Sequence, residues 1–253
     1  MPYRVGTAGW TVPKQHLSLF PSPAEGDEKL SHLQRYAQWL PCVEINSSFH
    51  RPHRKATWER WADSTPDSFR FAVKAPKAVT HTAKLVNAGG QMLTFFHAVQ
   101  GLGEKLGPVL VQLPPKLVFD EGVAQEFFTT LRELHGGSVV LEPRHESWFT
   151  PAVDRLLRGF EVARAGVDPP KGAEAAARPG GWPGLRYWRL HGAPRTYYSE
   201  YEAEWLQSFA EKLRAGEQPV ETETWVVFDN TALGHASANA MWLHRTLGAA
   251  EGP

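Results

Sequence analysis

Charged and amide side chains recur inside otherwise apolar runs of the chain. Glu44 and Asn46 stand in CVEINS, Lys74 in FRFAVKA, Gln112 in PVLVQLP, and Glu142 with Arg144 in SVVLEPR. Arg189 and His191 stand in LRYWRLHG, and Asp229 with Asn230 in TWVVFDN. These types can carry acid–base chemistry on an anion. Glu44 or Glu142 fits a general base, with His191 as acid or proton shuttle. The guanidinium forks of Arg144 and Arg189 match carboxylate or phosphate. Lys74, among apolar neighbours, can stabilise developing negative charge or, with a depressed pKa, form a Schiff base.

The elements that would position these groups follow from periodicity. Strand candidates lie at 3–9, 42–47, 69–75, 108–114, 138–144, 160–168, 185–192 and 224–230. Between them, apolar residues recur at helical spacing: Leu30, Leu33, Ala37 and Leu40; Trp58 and Trp61; Phe95, Val99 and Leu102; Phe127, Leu131 and Leu134; Leu206, Phe209 and Leu213; Met241 and Leu247. Gly136 and Gly137 mark a helix stop, and Thr150 with Pro151 a helix start. Eight strands alternating with helices predict an α/β chain with a parallel sheet, and the number eight favours closure. The expected architecture is a single (β/α)8 TIM-type barrel spanning 1–253, with an open doubly wound sheet as runner-up. The sixth helix is weak or replaced by a loop, because 169–184 is rich in Pro, Gly and Ala.

Strand residues alternate faces, so the parity of the polar groups is a test. Val43 and Ile45, Phe71 and Val73, Val111 and Leu113, Val139 and Leu141, Trp188 and Leu190, and Val226 and Phe228 all fit the helix-facing side. The opposite parity collects Glu44, Asn46, Lys74, Gln112, Glu142, Arg144, Arg189, His191 and Asp229, with Arg164 and Asp168 on the sixth strand. All lie near C-terminal strand ends, where barrel enzymes keep their sites. A purely structural role competes with this reading. Glu44, Glu142 and Asp229 balance Lys74, Arg144 and Arg189, which permits a closed ion-pair network. The same balance argues against a metal, for which His191, Glu44 and Asp229 would be the ligand set to consider. No cofactor is expected.

The loops after these strands carry His50, Arg51, His53, Lys77, His81, Lys84 and His145. They predict a basic rim suited to an anionic ligand. Trp10, Phe49, Trp148, Tyr197 and Tyr198 fall in the same loops and could stack on a base or sugar ring. For any one of these aromatics taken alone, ordinary packing is the better expectation, and for His50, His53 and His81 the plainer alternative is a solvated surface position. The chain as a whole has 27 basic and 27 acidic residues, so it creates no global field toward nucleic acid or membrane. Its 42% apolar and 21% charged residues are those of an ordinary globular protein. Cys42 is the only cysteine, which excludes an intramolecular disulfide and a cysteine metal cage. With no signal-like N-terminal segment and no long apolar run, the expectation is a cytoplasmic protein.

Taken together, GTAGW (6–10), VEINSSFHR (43–51), TPDSFRFAVKAP (65–76), TH (80–81), GEKLGPVLVQLPP (103–115), EPRHESWF (142–149), YWRLHG (187–192) and FDNT (228–231) resemble the YecE-like family, domain of unknown function 72. The resemblance covers nearly the whole chain. It implies a TIM-type barrel and no particular reaction. The matching positions include Glu44, Asn46, Lys74, Gln112, Glu142, Arg144, His145, Arg189, His191, Asp229 and Asn230. Pro143 departs from the family, which more often has an aromatic there, and Thr11-Val12 replaces a polar-aromatic pair.

The leading functional expectation is a hydrolase, lyase or isomerase acting on a small anionic substrate, such as a phosphorylated or carboxylated sugar or nucleoside. Its catalytic residues would be Glu44, Lys74, Glu142, His191 and Asp229. Trp10, Asn46, Phe49, Gln112, Arg144, His145, Trp148, Arg189, Tyr198 and Asn230 would bind the substrate. A nucleic-acid-processing enzyme is less favoured, for want of positive charge. A non-catalytic ligand-binding protein is the third alternative.

Overall fold

A computed structural model describes residues 3–21, 30–215 and 222–248; the remainder of the 1–253 span lies outside the described residues. Strands β1 (Tyr3–Ala8), β2 (Cys42–Ile45), β3 (Arg70–Lys74), β4 (Leu106–Gln112) and β5 (Val139–Glu142) pair in parallel, each with the next. β6 (Val162–Arg164) pairs with β5, whereas β7 (Gly166–Asp168) pairs with β9 (Leu185–Leu190). β9 pairs with β10 (Glu223–Phe228), which returns to β1. Ala165 alone separates β6 from β7, and its N–H still donates to the Leu141 carbonyl. The parallel ladder therefore runs round a nearly closed TIM-type barrel. The open-sheet alternative is set aside. A two-residue strand, β8 (Gly180–Gly181), adds an antiparallel pair to β6.

The helices follow the expected order: α1 (His32–Ala37), α2 (Ser47–His50), α3 (Lys55–Asp63), α4 (Gly89–Val99), α5 (Glu121–Leu134), α6 (Pro151–Gly159), α7 (Ala203–Arg214) and α8 (His235–Gly248). The start signal before α6 is real: Thr150 Oγ1 accepts from the Val153 N–H, with Pro151 at the first helical position. Where a sixth barrel helix belongs, between β7 and β9, there is one 3₁₀ turn at Glu174–Ala177. Proline and glycine around it deny a longer helix its hydrogen bonds and its rigidity. Among the described residues no helix is long and apolar enough to cross a membrane.

Two apolar layers result from the alternation. Val43, Val73, Val111, Leu141, Leu190 and Val226 face the helices, while Ala72, Leu110, Val140, Ala163, Tyr187 and Trp225 fill the barrel interior. At the close approach of β1 and β2 only glycine fits at position 6, since a Cβ there would lie 2.1 Å from the Cys42 carbonyl oxygen. Tyr36 of α1 locks the same two strands. Its hydroxyl accepts from the Thr7 N–H and donates to the Cys42 carbonyl, both at 2.9 Å.

The sixth strand departs from the parity expectation. Ala163, Ala165 and Val167 fill the interior, so Arg164 and Asp168 belong to the outer side. Arg164 reaches Asp154 of α6, and Asp168 accepts a 2.7 Å hydrogen bond from Tyr201.

Candidate functional site

The polar ends of the inward rows meet around one guanidinium. Arg189, fully buried on β9, donates from Nε and Nη2 to the two oxygens of Glu44, at 2.9 and 2.7 Å. Its Nη1 donates to Glu142 at 2.6 Å, and Nη2 also donates to Asp229 at 2.9 Å. Tyr187 Oη adds a 2.8 Å bond to Glu44. Gln112 and Arg144 both donate to the other oxygen of Glu142, at 2.9 and 2.8 Å. The β4–β5 register sets Gln112 directly beside Glu142. His191 and Asp229 each extend their strand ladder by one backbone bond, to Asp168 and Leu190 respectively. That extension brings Nδ1 of His191 within 3.1 Å of Asp229 Oδ2.

Electrostatics follow from this packing. Burial alone would raise the pKa of Glu142, but Arg189 and Arg144 outweigh it and hold the carboxyl well below its ordinary range. Asp229 is likewise lowered against burial, by Arg189, by the His191 hydrogen bond and by Lys74. Burial opposes the Arg189 charge, yet Glu44, Glu142 and Asp229 push its pKa well above that of a free guanidinium. Lys74 is different. Burial, reinforced by the Arg189 charge, brings its ammonium down to about 8 despite the nearby carboxylates. It makes no hydrogen bond or ion pair through Nζ among the described residues, and instead sits 4.2 Å from the centre of the Phe49 ring.

Two expectations are corrected by this geometry. Arg189 cannot clamp an incoming anion as imagined, because three carboxylates already take its donors. Glu44 and Glu142 are poor general bases for the same reason: their oxygens are held by guanidinium, amide or phenol donors. The groups left over are Nζ of Lys74, together with Arg144 Nη2 and His191 Nε2, both buried without a hydrogen-bond partner, the latter 3.9 Å from Glu142 Oε1. With Asp229 ionised, His191 donates from Nδ1, leaving Nε2 to accept or release a proton.

The other expected residues are placed as follows. Phe49 lies beside Lys74 and His81. Asn46 precedes α2 with its Oδ1 buried and unpartnered. Asn230 anchors Ser199 and Asn239 through Nδ2, with Oδ1 unpartnered. His145 is spent capping a short turn through Ser147. Trp10 packs edge-on against Trp61 of α3. Trp148 does not line the mouth: it is buried against Phe119 with its indole N–H on the Leu117 carbonyl. Tyr198 turns to Arg195, 3.8 Å from its ring, and its neighbour Tyr197 packs on His191 instead. Tyr187 went unnoticed in the sequence, although it shares the parity of Arg189 and His191. No three His, Cys, Asp or Glu side chains converge as a metal ligand set among the described residues.

The family described as "Protein of unknown function DUF72" matches residues 4–253. The chain belongs to the DUF72 family. Among curated relatives, this DUF72 chain is 26% identical to the UPF0759 protein YunF of Bacillus subtilis (strain 168) over 174 residues, 64% of the chain and 58% of YunF. It is 29% identical to the UPF0759 protein YecE of Escherichia coli (strain K12) over 85 residues, 34% of the chain and 31% of YecE. The matches thus span little more than half of the first relative and about a third of the second. Among solved structures, a DUF72 family protein (EF0366) from Enterococcus faecalis V583 superposes with a TM-score of 0.76 at 18% identity, covering 97% of this chain and 95% of that one. Another, TM1631 from Thermotoga maritima MSB8, gives 0.73 at 23% identity, covering 98% and 100%. These likenesses support the TIM-type fold.

Proposed function

We propose that this DUF72 protein is an enzyme acting at the barrel mouth on a small anionic carbonyl compound, such as a phosphorylated or carboxylated sugar, as a lyase, isomerase or hydrolase. The observation that supports the reading is the set of groups without a hydrogen-bond partner beside a saturated ion-pair network: Lys74 Nζ, with the buried Arg144 Nη2 and His191 Nε2. Arg144 offers the anion a charged donor. Lys74, lowered to about 8 by burial, has about one amine in ten unprotonated at pH 7 and can add to a carbonyl carbon. In that step the C–N bond forms and the carbonyl oxygen leaves as water, taking its protons through His191. Asp229 holds the imidazole in one tautomer and orientation, and the Arg189 network keeps Asp229 ionised. The three buried carboxylates are positioning groups here.

A borohydride trap tests the reading. The protein is incubated with pools of phosphorylated and carboxylated sugars, reduced, and analysed by mass spectrometry. An adduct on Lys74 that is lost in Arg144→Met is the expected result. No adduct from any pool, together with no binding of inorganic sulfate by calorimetry, sinks it. A non-catalytic binding protein is the second reading. One observation favours it: Glu44, Glu142 and Asp229 are all engaged, so none of these three is free to act as a base. Sulfate binding without trapping or turnover on any pool would select it.

A further inference from the structure

A pocket of about 440 Å³ opens on the outside of the barrel wall, beside the stretch where a 3₁₀ turn stands in for the sixth barrel helix. Its walls come from α6, the segment 178–183, β9 and α7. No residue of the mouth lines it. Trp188 belongs to the helix-facing layer, whereas the next residue of β9, Arg189, points inward to Glu44.

Four cations line this pocket, and each comes from a different element: Arg158 from α6, Arg178 from the end of the 3₁₀ turn, Arg186 from β9 and Lys212 from α7. No acidic residue shares the lining. Arg158 gives its Nε to the Gly181 carbonyl at 3.0 Å and keeps both terminal nitrogens. The side chains of Arg178 and Arg186 make no hydrogen bond or ion pair among the described residues, and Lys212 rests 4.8 Å from the centre of the Trp188 ring. Burial and the charges of Arg178 and Arg186 hold the Lys212 ammonium below its ordinary pKa, against a pull from Asp168. Like charges brought together from four elements repel one another and favour a counter-anion. Arg158, Arg178 and Lys212 are exposed, so that anion can come from solvent.

The rest of the lining is largely apolar, with Pro179, Trp182, Pro183 and Trp188. Trp182 is half-buried and held in place. Its N–H donates to the Val162 carbonyl at 2.9 Å, and a Cβ at Gly184 would come within 2.2 Å of its ring.

We infer that this pocket is a second binding site, separate from the mouth, for an organic polyphosphate whose phosphates lie among Arg158, Arg178, Arg186 and Lys212 and whose organic body lies against Trp182 and Pro183. A single carboxylate would answer one of the four charges. A run of phosphates carries the charge and the acceptor oxygens to answer all of them, and guanidinium forks match phosphate geometry.

The test uses the full chain in calorimetry, with tripolyphosphate and ATP as probes in buffer free of divalent metal. Both should bind, more weakly as salt is added, and ATP at least about threefold tighter than tripolyphosphate. Arg178→Ala and Lys212→Ala each remove one exposed charge and should each weaken both probes at least about fivefold; should one variant misfold, the other carries the comparison. Lys74→Met, at the mouth, should leave both affinities unchanged. Failure of both probes to bind overturns the inference, as does binding that survives both pocket substitutions. Binding lost in Lys74→Met belongs to the mouth and overturns it equally. ATP no tighter than tripolyphosphate overturns the part given to Trp182 and Pro183.

Discussion

Lys74→Met is the sharpest perturbation of the mouth. The substitution keeps an unbranched stem beside Phe49 and removes the charge. The drop of the Lys74 ammonium from 10.5 to about 8 reflects burial and Arg189 outweighing the attraction of three carboxylates. At about 1.4 kcal/mol per pH unit, holding that charge costs the folded state about 3 kcal/mol. The sign follows from linkage: the folded protein binds this proton less tightly than the unfolded chain. The cost is therefore complete below pH 8 and fades as pH rises toward 10.5. Urea unfolding should find Lys74→Met more stable than wild type at pH 7, with a midpoint about 1 M higher for typical urea slopes. The difference should shrink steadily between pH 8 and 10. A variant no more stable at pH 7, or an advantage constant across that range, would refute the view that Lys74 is held in an environment hostile to its charge.

Arg189→Met should lose about 3–5 kcal/mol in the same assay, because Glu44, Glu142 and Asp229 would stay buried without their shared cation; a loss below about 1 kcal/mol would show the network to be dispensable. Glu142 has a folded-state pKa below its ordinary 4.5, so its contribution is present above that pH and is lost as the pH falls further. Glu142→Gln should flatten the acid limb of the stability curve below pH 4.5, and an unchanged slope would contradict the assignment. Tyr36→Phe leaves the Thr7 N–H and the Cys42 carbonyl short of one buried partner, for about 1–3 kcal/mol in chemical denaturation.

Strand positions, the parity of every strand but the sixth, and the weakness of the sixth helix are readable, because apolar alternation reports directly which face is buried. Glu44, Lys74, Gln112, Glu142, Arg189, His191 and Asp229 do converge, as shared parity and strand end required. The rule failed at Arg164 and Asp168, where the strand breaks and outer-layer partners, Asp154 and Tyr201, reward the outward direction. Loop aromatics were the least legible. Tyr197 and Tyr198 differ by one residue, and only the backbone path, with Tyr197 at φ 71°, decides which meets His191. Composition could show that the charges balance. It could not show that one arginine would take all three carboxylates and leave the lysine outside the arrangement.

The break at Ala165 gives the barrel a seam. On one side stand β5 and β6 with Glu142 and Arg144; on the other stand β7 and β9 with Arg189 and His191. Outside β7 the outer ring supplies a 3₁₀ turn in place of a helix, while β6 is braced by β8 and by the Arg164–Asp154 pair to α6. The 2.6 Å contact between Arg189 Nη1 and Glu142 Oε2 reaches straight across, like the clasp on a bracelet. A closed ring of strands resists opening everywhere at once, whereas a ring with one clasp can breathe at a single place. Here that place lies within the buried network itself, so the ion pair that orders the site also ties the two sides of the seam.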